Sequence, residues 1–326
     1  MIISKTPLRI SFCGGGSDIP SFYRKHGGCV LSTSIDKYIY ITSSRSFERG
    51  LTKLRYSSME CVHELSAIKH PVFREMLTRF GMPGYEFTST SDIPAGTGLG
   101  SSSTFTVGLS NVLRTRNGET ASKETLAQDA CRFEIDILKE PIGKQDQYAA
   151  AYGGLNFIEF HDDDTVSVQP LSIKPEQRDA LSRRLVMLYL GGTRSASDIL
   201  RKQSSNITNG KAEANQKKMC EIARRLKVDL EDGDLDSMGE ALDRSWKLKR
   251  TLSEGISNPA IDEIYERAIG LGAVGGKLLG AGGNGFMLFY APEDVQPTIR
   301  AGFPDMMWMP FEFDTNGSRI VYNDEV

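Results

Sequence analysis

The sequence lacks the features of secreted, membrane-spanning and nucleic-acid-binding proteins. Its five cysteines are odd in number and never show C-x-x-C spacing, so neither a disulfide framework nor a zinc site is expected. No run approaches the roughly 20 consecutive apolar residues of a membrane helix, and the first residues lack a signal peptide's long apolar segment. With 39 Lys and Arg against 42 Asp and Glu, the net charge of −3 gives no electrostatic reason to bind nucleic acid. These absences predict a cytoplasmic protein with no nucleic-acid or membrane partner.

The composition is that of an ordinary globular protein. At about 150 residues per domain, 326 residues suggest two domains. The acidic loop 161–164 and the polar segment 170–184 are the best boundary candidates, so we expect domains at 1–165 and 166–326. Both halves mix predicted strands and helices, which indicates an α+β class. The predicted strands are 31–42, 85–91, 185–190, 277–279, 286–290 and one near 307–313, and the predicted helices are 103–114, 124–139, 211–226, 235–254, 259–270 and one near 293–302.

Glycine is unusually frequent, with 32 residues, and is concentrated in three places. We name them the first glycine loop (residues 13–18), the second glycine loop (94–103) and the third glycine loop (279–285). Glycine lets the backbone approach a ligand closely. Three such loops spread over one chain predict a single site that is assembled from distant parts of the sequence.

The second glycine loop lies between a predicted strand and a predicted helix. Backbone N–H groups at the start of that helix, together with the helix dipole, would form an anion site. The loop has no Lys after Gly100, which excludes a Walker loop, and its G-x-G-x-G spacing differs from the G-x-G-x-x-G of dinucleotide-binding folds. Its three serines could cap the helix, bind phosphate or ligate Mg²⁺. A flexible turn with serine caps is the alternative.

The segment Pro94-x-Gly96-x-Gly98-Leu99-Gly100-Ser101-Ser102 resembles the signature loop of the GHMP small-molecule kinases. The other two glycine loops fall where that family has its first and third motifs. The resemblance implies the GHMP kinase fold, with an N-terminal domain like ribosomal protein S5 domain 2 and a ferredoxin-like C-terminal domain. It also implies an ATP- and Mg²⁺-dependent phosphotransferase. ATP would lie against the following residues of the second loop: Pro94, Gly96, Gly98, Leu99, Gly100, Ser101, Ser102 and Ser103.

The same resemblance implies roles for two carboxylates. It assigns Mg²⁺ binding to Ser102 and Glu134, and it makes Asp146 the base that deprotonates the acceptor hydroxyl. From the sequence alone, Asp146 is expected in a loop just past a helix end. Other interpretations stay open, because Asp146 could be a helix cap and Glu134 a solvated helix charge, with Asp136 a competing choice.

The first glycine loop resembles the motif that meets the phosphoryl acceptor. Asp18 could accept hydrogen bonds from vicinal sugar hydroxyls, although it could also cap a helix. Together with residues 191–200, this loop resembles the D-glycero-D-manno-heptose 7-phosphate kinase branch, whose members phosphorylate an anomeric hydroxyl on the route to GDP-heptose. Arg9 and Arg194 would then contact the phosphate of a sugar phosphate. The expected acceptor site comprises Arg9, Gly15, Gly16, Ser17, Asp18, Gly191, Gly192, Thr193, Arg194, Gly282 and Gly283.

Three functions fit these features. The first is a kinase that acts on heptose 7-phosphate, and the second is another sugar-1-kinase of fucokinase or galactokinase type, whose substrate carries no phosphate for Arg194 to bind. The third is a catalytically silent sugar sensor on the same fold. Two local alternatives also remain: Arg194 could be an exposed arginine with a local partner, and the third glycine loop could be a plain hairpin turn. A homo-oligomer is possible, and the sequence does not define it.

Overall fold

The computed structural model describes residues 1–192, 199, 201–202, 205–206 and 212–324. The described strands, in chain order, are β1 (Ile2–Cys13), β2 (Gly28–Arg45), β3 (Thr52–Arg55), β4 (Met59–Val62), β5 (Tyr85–Ser91), β6 (Leu155–Phe160), β7 (Val166–Pro170), β8 (Leu185–Tyr189), β9 (Gly275–Leu278), β10 (Phe286–Tyr290), β11 (Met307–Met309), β12 (Phe313–Asp314) and β13 (Arg319–Asn323). The described α-helices are α1 (Pro20–His26), α2 (Pro71–Phe80), α3 (Ser101–Arg116), α4 (Lys123–Cys131), α5 (Gln145–Tyr152), α6 (Pro175–Arg183), α7 (Glu213–Glu231), α8 (Ser237–Lys249), α9 (Pro259–Gly270) and α10 (Gln296–Gly302).

The first sheet is built around the long strand β2. Its order is β13-β1-β2-β5-β3-β4, with β6 and β12 also paired to β2, and β7 paired to β6. Strand β1 runs antiparallel along one edge of β2, whereas β6 and β5 take the first and last parts of the other edge. Helix α3 packs on β1 and β2. Helix α3 is the next element after β5, so the positions of β5 and α3 on the sheet fix where the second glycine loop begins and ends.

The second sheet has the order β11-β8-β10-β9 and is antiparallel throughout. Strand β10 is completely buried, as its unbroken run of large apolar residues requires. Helix α8 packs on β9 and also reaches β1. This packing brings the third glycine loop, which joins β9 to β10, toward the first sheet.

Strands and helices occur in both parts of the chain, so the predicted α+β class is confirmed. The strand predicted at 85–91 has those bounds, and the strand predicted near 307–313 is divided into β11 and β12 in different sheets. The predicted domain boundary at residue 165 stays a prediction. The sheets divide the chain elsewhere, because β7 pairs with β6, and both β12 and β13 return to the first sheet. No helix in the described ranges is both long enough and apolar enough to span a bilayer.

The helix predicted over 124–139 changes its geometry partway. Helix α4 begins at a capped end, where the Ser122 hydroxyl accepts a hydrogen bond from the backbone N–H of Thr125 at 3.0 Å. After Cys131 the backbone winds into a π-helical turn, Arg132–Ile137. Apolar spacing alone does not reveal such a turn, since it adds one residue to a helix without ending it.

The second and third glycine loops are in backbone contact. A Cβ atom built on Gly98 would lie 2.6 Å from the carbonyl oxygen of Leu279, and one on Gly280 would lie 2.5 Å from Cα of Gly98. Gly98 also has a φ of +89°. Both the conformation and the close approach therefore require glycine at this position.

We expect Gly98→Ala to lower the free energy of unfolding by about 3 kcal/mol, through backbone strain plus overlap with Leu279. Gly118→Ala is the matched control, because Gly118 has a φ of +77° but has no neighbour within 4 Å of its added Cβ. The control should lose only about 1 kcal/mol. Urea denaturation measures both, and equal losses would mean that the loop contact contributes nothing.

Candidate active site

A cavity of about 470 Å³ opens where the three glycine loops meet. Its walls come from both sheets and include many of the residues predicted from the sequence. The predicted residues that line it are Arg9, Gly15, Gly16, Asp18, Gly96, Gly98, Gly100, Ser101, Ser102, Ser103, Glu134, Asp146 and Gly282. The structure thus brings together, in one concave site, residues that are up to 273 positions apart in sequence.

Other predicted residues do not line this cavity. They are Pro94, Leu99, Ser17, Gly191, Gly192 and Gly283. Leu99 is completely buried, and the Ser17 hydroxyl makes hydrogen bonds with the backbone of Cys29. Both side chains therefore stabilise the conformation of their loops and do not face the cavity. Thr193 and Arg194 lie outside the described residues, and their predicted contacts stay predictions.

The second glycine loop presents an anion site. Gly96, Gly98 and Gly100 all have positive φ, and α3 begins immediately afterwards at Ser101. The N-terminal N–H groups of this 16-residue helix carry the positive end of its dipole. The buried Ser101 hydroxyl has no hydrogen-bond partner among the described residues. Together these groups can receive phosphate oxygens.

Glu134 faces the start of α3 from the π-helical turn. It is 1% exposed and accepts hydrogen bonds from Ser102 at 3.2 Å, Thr106 at 3.0 Å and Gln147 at 2.7 Å. Burial raises the pKa of Glu134 to about 7, against the hydrogen bonds that lower it. A buried carboxylate of this kind is stabilised by a cation.

The residues present fit a magnesium ion. Mg²⁺ prefers oxygen ligands and usually takes one or two carboxylates, completing its shell with water and substrate phosphates. Glu134 and Ser102 supply one carboxylate and one hydroxyl beside the anion site. Within the described ranges, no cluster of three or more His, Cys, Asp or Glu side chains could hold a metal alone. A cation here would thus need phosphate or water oxygens.

Asp146 lies in the first turn of α5, so its expected place in a loop past a helix end was wrong. Its two carboxylate oxygens accept hydrogen bonds from Nε and Nη2 of Arg9, at 2.7 and 2.8 Å. The Nη1 group of Arg9 donates to the carbonyl oxygen of Gly98 at 2.7 Å. Arg9 thus fixes the orientation of Asp146 against the second glycine loop, and its predicted contact with the sugar's phosphate stays a prediction.

Asp18, the last residue of the first glycine loop, is almost completely buried against the start of α5. It accepts hydrogen bonds from the backbone N–H groups of Gly16 and Gln145, both at 3.1 Å. Burial, together with the negative charge of Asp146, raises the pKa of Asp18 to about 6. A Cβ on Gly143 would lie 2.0 Å from an Asp18 oxygen, so this glycine is needed for the contact.

Sequence reasoning missed four residues that shape the site. They are Gly143, Gln145, Lys249 and Lys277. Gly143 lies two residues after Pro141 and three before the predicted base, Asp146, which was a usable signal. Gln145 reaches Asp18 only through the packing of α5. The two lysines carried no signal, because nothing in the sequence around a lysine tells that it will be buried.

Comparison with known proteins places this geometry in context. Residues 66–154 match the model of the GHMP kinase N-terminal domain, and residues 226–305 match that of the GHMP kinase C-terminal domain. The chain is 32% identical to D-glycero-alpha-D-manno-heptose 7-phosphate kinase of Campylobacter jejuni, over 91% of this chain and 90% of that protein. It is 25% identical to a galactokinase of Pyrococcus furiosus, over 91% of each chain.

Two solved structures share the fold of this chain. The crystal structure of a D-glycero-D-manno-heptose 1-phosphate kinase from Bacteroides thetaiotaomicron superposes with a TM-score of 0.80 at 26% identity, covering 99% of this chain and all of that one. A galactokinase from Lactococcus lactis, crystallised with galactose, superposes with a TM-score of 0.76 at 15% identity. That second likeness concerns the fold alone.

The buried Asp18 makes a prediction about pH. Its pKa is raised from about 4 in the unfolded chain to about 6, so the folded protein binds this proton more tightly. The resulting stabilisation is present below pH 4 and is lost as the pH rises through 6. Relative to Asp18→Asn, the wild type should lose on the order of 2 to 3 kcal/mol of unfolding free energy between pH 4 and 7. Urea denaturation at each pH measures this, and parallel curves for the two proteins would contradict it.

Proposed function

The chain belongs to the GHMP kinase family, and we propose from this membership that it phosphorylates the anomeric hydroxyl of D-glycero-D-manno-heptose 7-phosphate to give the 1,7-bisphosphate. GHMP kinases use ATP as their phosphate donor, and we assign the same donor here with Mg²⁺. One observation carries the proposal: the three glycine loops converge on a single cavity that holds Asp146 and Glu134. The similarity to heptose phosphate kinases, above that to galactokinases, supports the choice of sugar.

Asp146 is the proposed general base. Its carboxylate lies on the cavity wall, oriented by two hydrogen bonds from Arg9, and can accept the proton of the sugar hydroxyl. As that proton leaves, the hydroxyl oxygen forms a bond to the terminal phosphorus of ATP, and the bond from that phosphorus to the bridging oxygen breaks. The bonding electrons remain with ADP. Positioning and charge neutralisation supply most of the catalysis in such a transfer.

The remaining groups hold the two substrates. The N–H groups at the start of α3 and the Ser101 hydroxyl would receive the phosphates of ATP, while Ser102 and Glu134 would hold Mg²⁺. When bound, that ion neutralises part of the phosphate charge. Asp18, which also lines the cavity, would accept hydrogen bonds from sugar hydroxyls. Arg194 and the neighbouring Gly191, Gly192 and Thr193 are proposed to contact the phosphate at position 7.

The proposal is tested by ATP consumption with paired substrates. Heptose 7-phosphate and free heptose, and likewise other free sugars and their terminal phosphates, are compared at equal concentration with Mg²⁺. Selective turnover of heptose 7-phosphate is expected. Turnover of free sugars alone would favour a kinase of fucokinase or galactokinase type, and sugar binding without turnover would favour the sensor.

Substitution of Arg194 tests the phosphate contact. Arg194→Ala should raise the KM for heptose 7-phosphate by about tenfold or more while leaving the KM for ATP unchanged, because one charge-assisted hydrogen bond is lost. Arg225→Ala is the control, since Arg225 is an exposed arginine paired with Asp229 within α7. An unchanged KM in Arg194→Ala would remove Arg194 from the substrate site.

Substitution of Asp146 tests the base. Asp146→Asn should lower kcat by about 10² to 10⁴ while ATP binding is kept, because the amide cannot take up a proton. Asp136→Asn is the control: it neutralises an exposed carboxylate on the same π-helical turn as Glu134. Full turnover by Asp146→Asn, with its folding checked by circular dichroism, would exclude Asp146 as the base.

A further inference from the structure

Two buried lysines line the cavity and have no role in the mechanism described so far. Lys277, on β9, is 3% exposed, and Lys249, the last residue of α8, is 8% exposed. Lysine is almost never buried to this degree unless it is paired with an opposite charge or another partner. Their positions on the cavity wall therefore require an explanation.

The two amines are bonded to backbone carbonyls. Lys277 donates to the carbonyl oxygens of Ser11 and Phe12, each at 2.7 Å, at the end of β1. Lys249 donates to the carbonyl oxygen of Leu278 at 3.0 Å and to that of Gly280. An ammonium group has three N–H donors, so each lysine retains one beyond these bonds. The donors lie where the first and third glycine loops meet.

Their charges are not balanced by the surrounding protein. Burial lowers the pKa of Lys277 to about 8. Burial also lowers the pKa of Lys249 well below its usual range, and the positive charges of Lys277 and Arg9 add to that effect. Arg9 has Asp146 as its partner, whereas neither lysine pairs with a carboxylate among the described residues. A buried cation without an anion is costly, because carbonyl dipoles compensate only part of the lost hydration.

A third polar group at the same place lacks a partner. The hydroxyl of Ser11 is buried, lines the cavity and makes no hydrogen bond within the described part of the chain. The carbonyl oxygen of Ser11 accepts a hydrogen bond from the Lys277 ammonium group. A hydroxyl donor and two ammonium donors in one concave wall are the groups that bind phosphate oxygens.

We propose that Lys249, Lys277 and the Ser11 hydroxyl form a binding site for a phosphoryl group at the junction of the first and third glycine loops. The proposal rests on the proposed kinase function, because the reaction offers two such groups: the one in transfer and the phosphate that the sugar already carries. Either group would supply the anion that the two lysines lack.

Three variants test the site against a matched control. Lys249→Met, Lys277→Met and Ser11→Ala each remove one donor, and Ser11→Ala does so without removing a charge or a backbone contact. Lys247→Met is the control, because Lys247 lies two residues before Lys249 on α8 but is exposed and paired with Asp243. The measurements are kcat and KM with heptose 7-phosphate and with free heptose, the Kd of heptose 7-phosphate by calorimetry, and the melting temperature.

The two sources of the phosphoryl group give different results. If the site binds the sugar's own phosphate, the Kd of heptose 7-phosphate rises about tenfold or more in the lysine variants, and free heptose is unaffected. If it binds the group in transfer, kcat falls about tenfold or more with both sugars while that Kd is unchanged. The proposal would be overturned if kcat, KM and Kd of the three variants stayed within about twofold of those of Lys247→Met and only their melting temperatures fell. The lysines would then serve only to stabilise the fold.

A measurement on the wild type covers the case in which a lysine variant does not fold. Acylation of lysines, quantified by mass spectrometry, should be slowed at Lys249 and Lys277 by heptose 7-phosphate or by a non-hydrolysable ATP analogue with Mg²⁺, and unchanged at Lys247. If neither ligand slows acylation of Lys249 and Lys277 although calorimetry shows that both ligands bind, the proposed site is excluded. If the wild type phosphorylates only free sugars, the proposed substrate fails, and protection by the ATP analogue still tests the lysines.

Discussion

The pairing of Arg9 with Asp146 is the interaction on which the site depends. Arg9 comes from β1, Asp146 from α5, and the third partner is the carbonyl of Gly98 in the second glycine loop. One guanidinium thus fixes three segments that are distant in sequence. Because its planar donors form hydrogen bonds only within a narrow range of geometries, the Arg9 guanidinium sets the distance between the second glycine loop and the Asp146 carboxylate. In the proposed reaction, the two substrates meet in that space.

Burial sets the electrostatics around this pair. Asp18 and Glu134 have raised pKa values because they are removed from water, and Lys277 has a lowered one for the same reason. A cavity that strips hydration from both signs of charge strengthens every interaction made inside it. In the proposed reaction, a magnesium ion and phosphate groups that bind together would stabilise these buried charges, since each supplies the charge that its neighbours lack.

Much of the fold and of the candidate site could be predicted from the sequence, because the features that indicate them are short patterns of neighbouring residues. The three glycine loops and the strand and helix around the second loop are defined by neighbouring residues, so the fold class, the family and the positions of Asp18, Glu134 and Asp146 in one cavity were within reach. The pairing of Arg9 with Asp146 was not, since it joins positions 137 apart. The first turn of α5, the π-helical turn and the burial of Lys277 likewise depend on tertiary packing that no short pattern records.

The return of the last strands has a consequence for synthesis of the protein. Strand β13 pairs with β1, the strand that carries Arg9, although the two lie at opposite ends of the described chain. Before residues 319–323 have been made, β1 can pair with β2, but the edge of β1 that β13 covers has no partner strand. An open strand edge invites pairing with another chain. Until Arg319–Asn323 have been made and paired, the part of β1 that they cover stays exposed to this hazard.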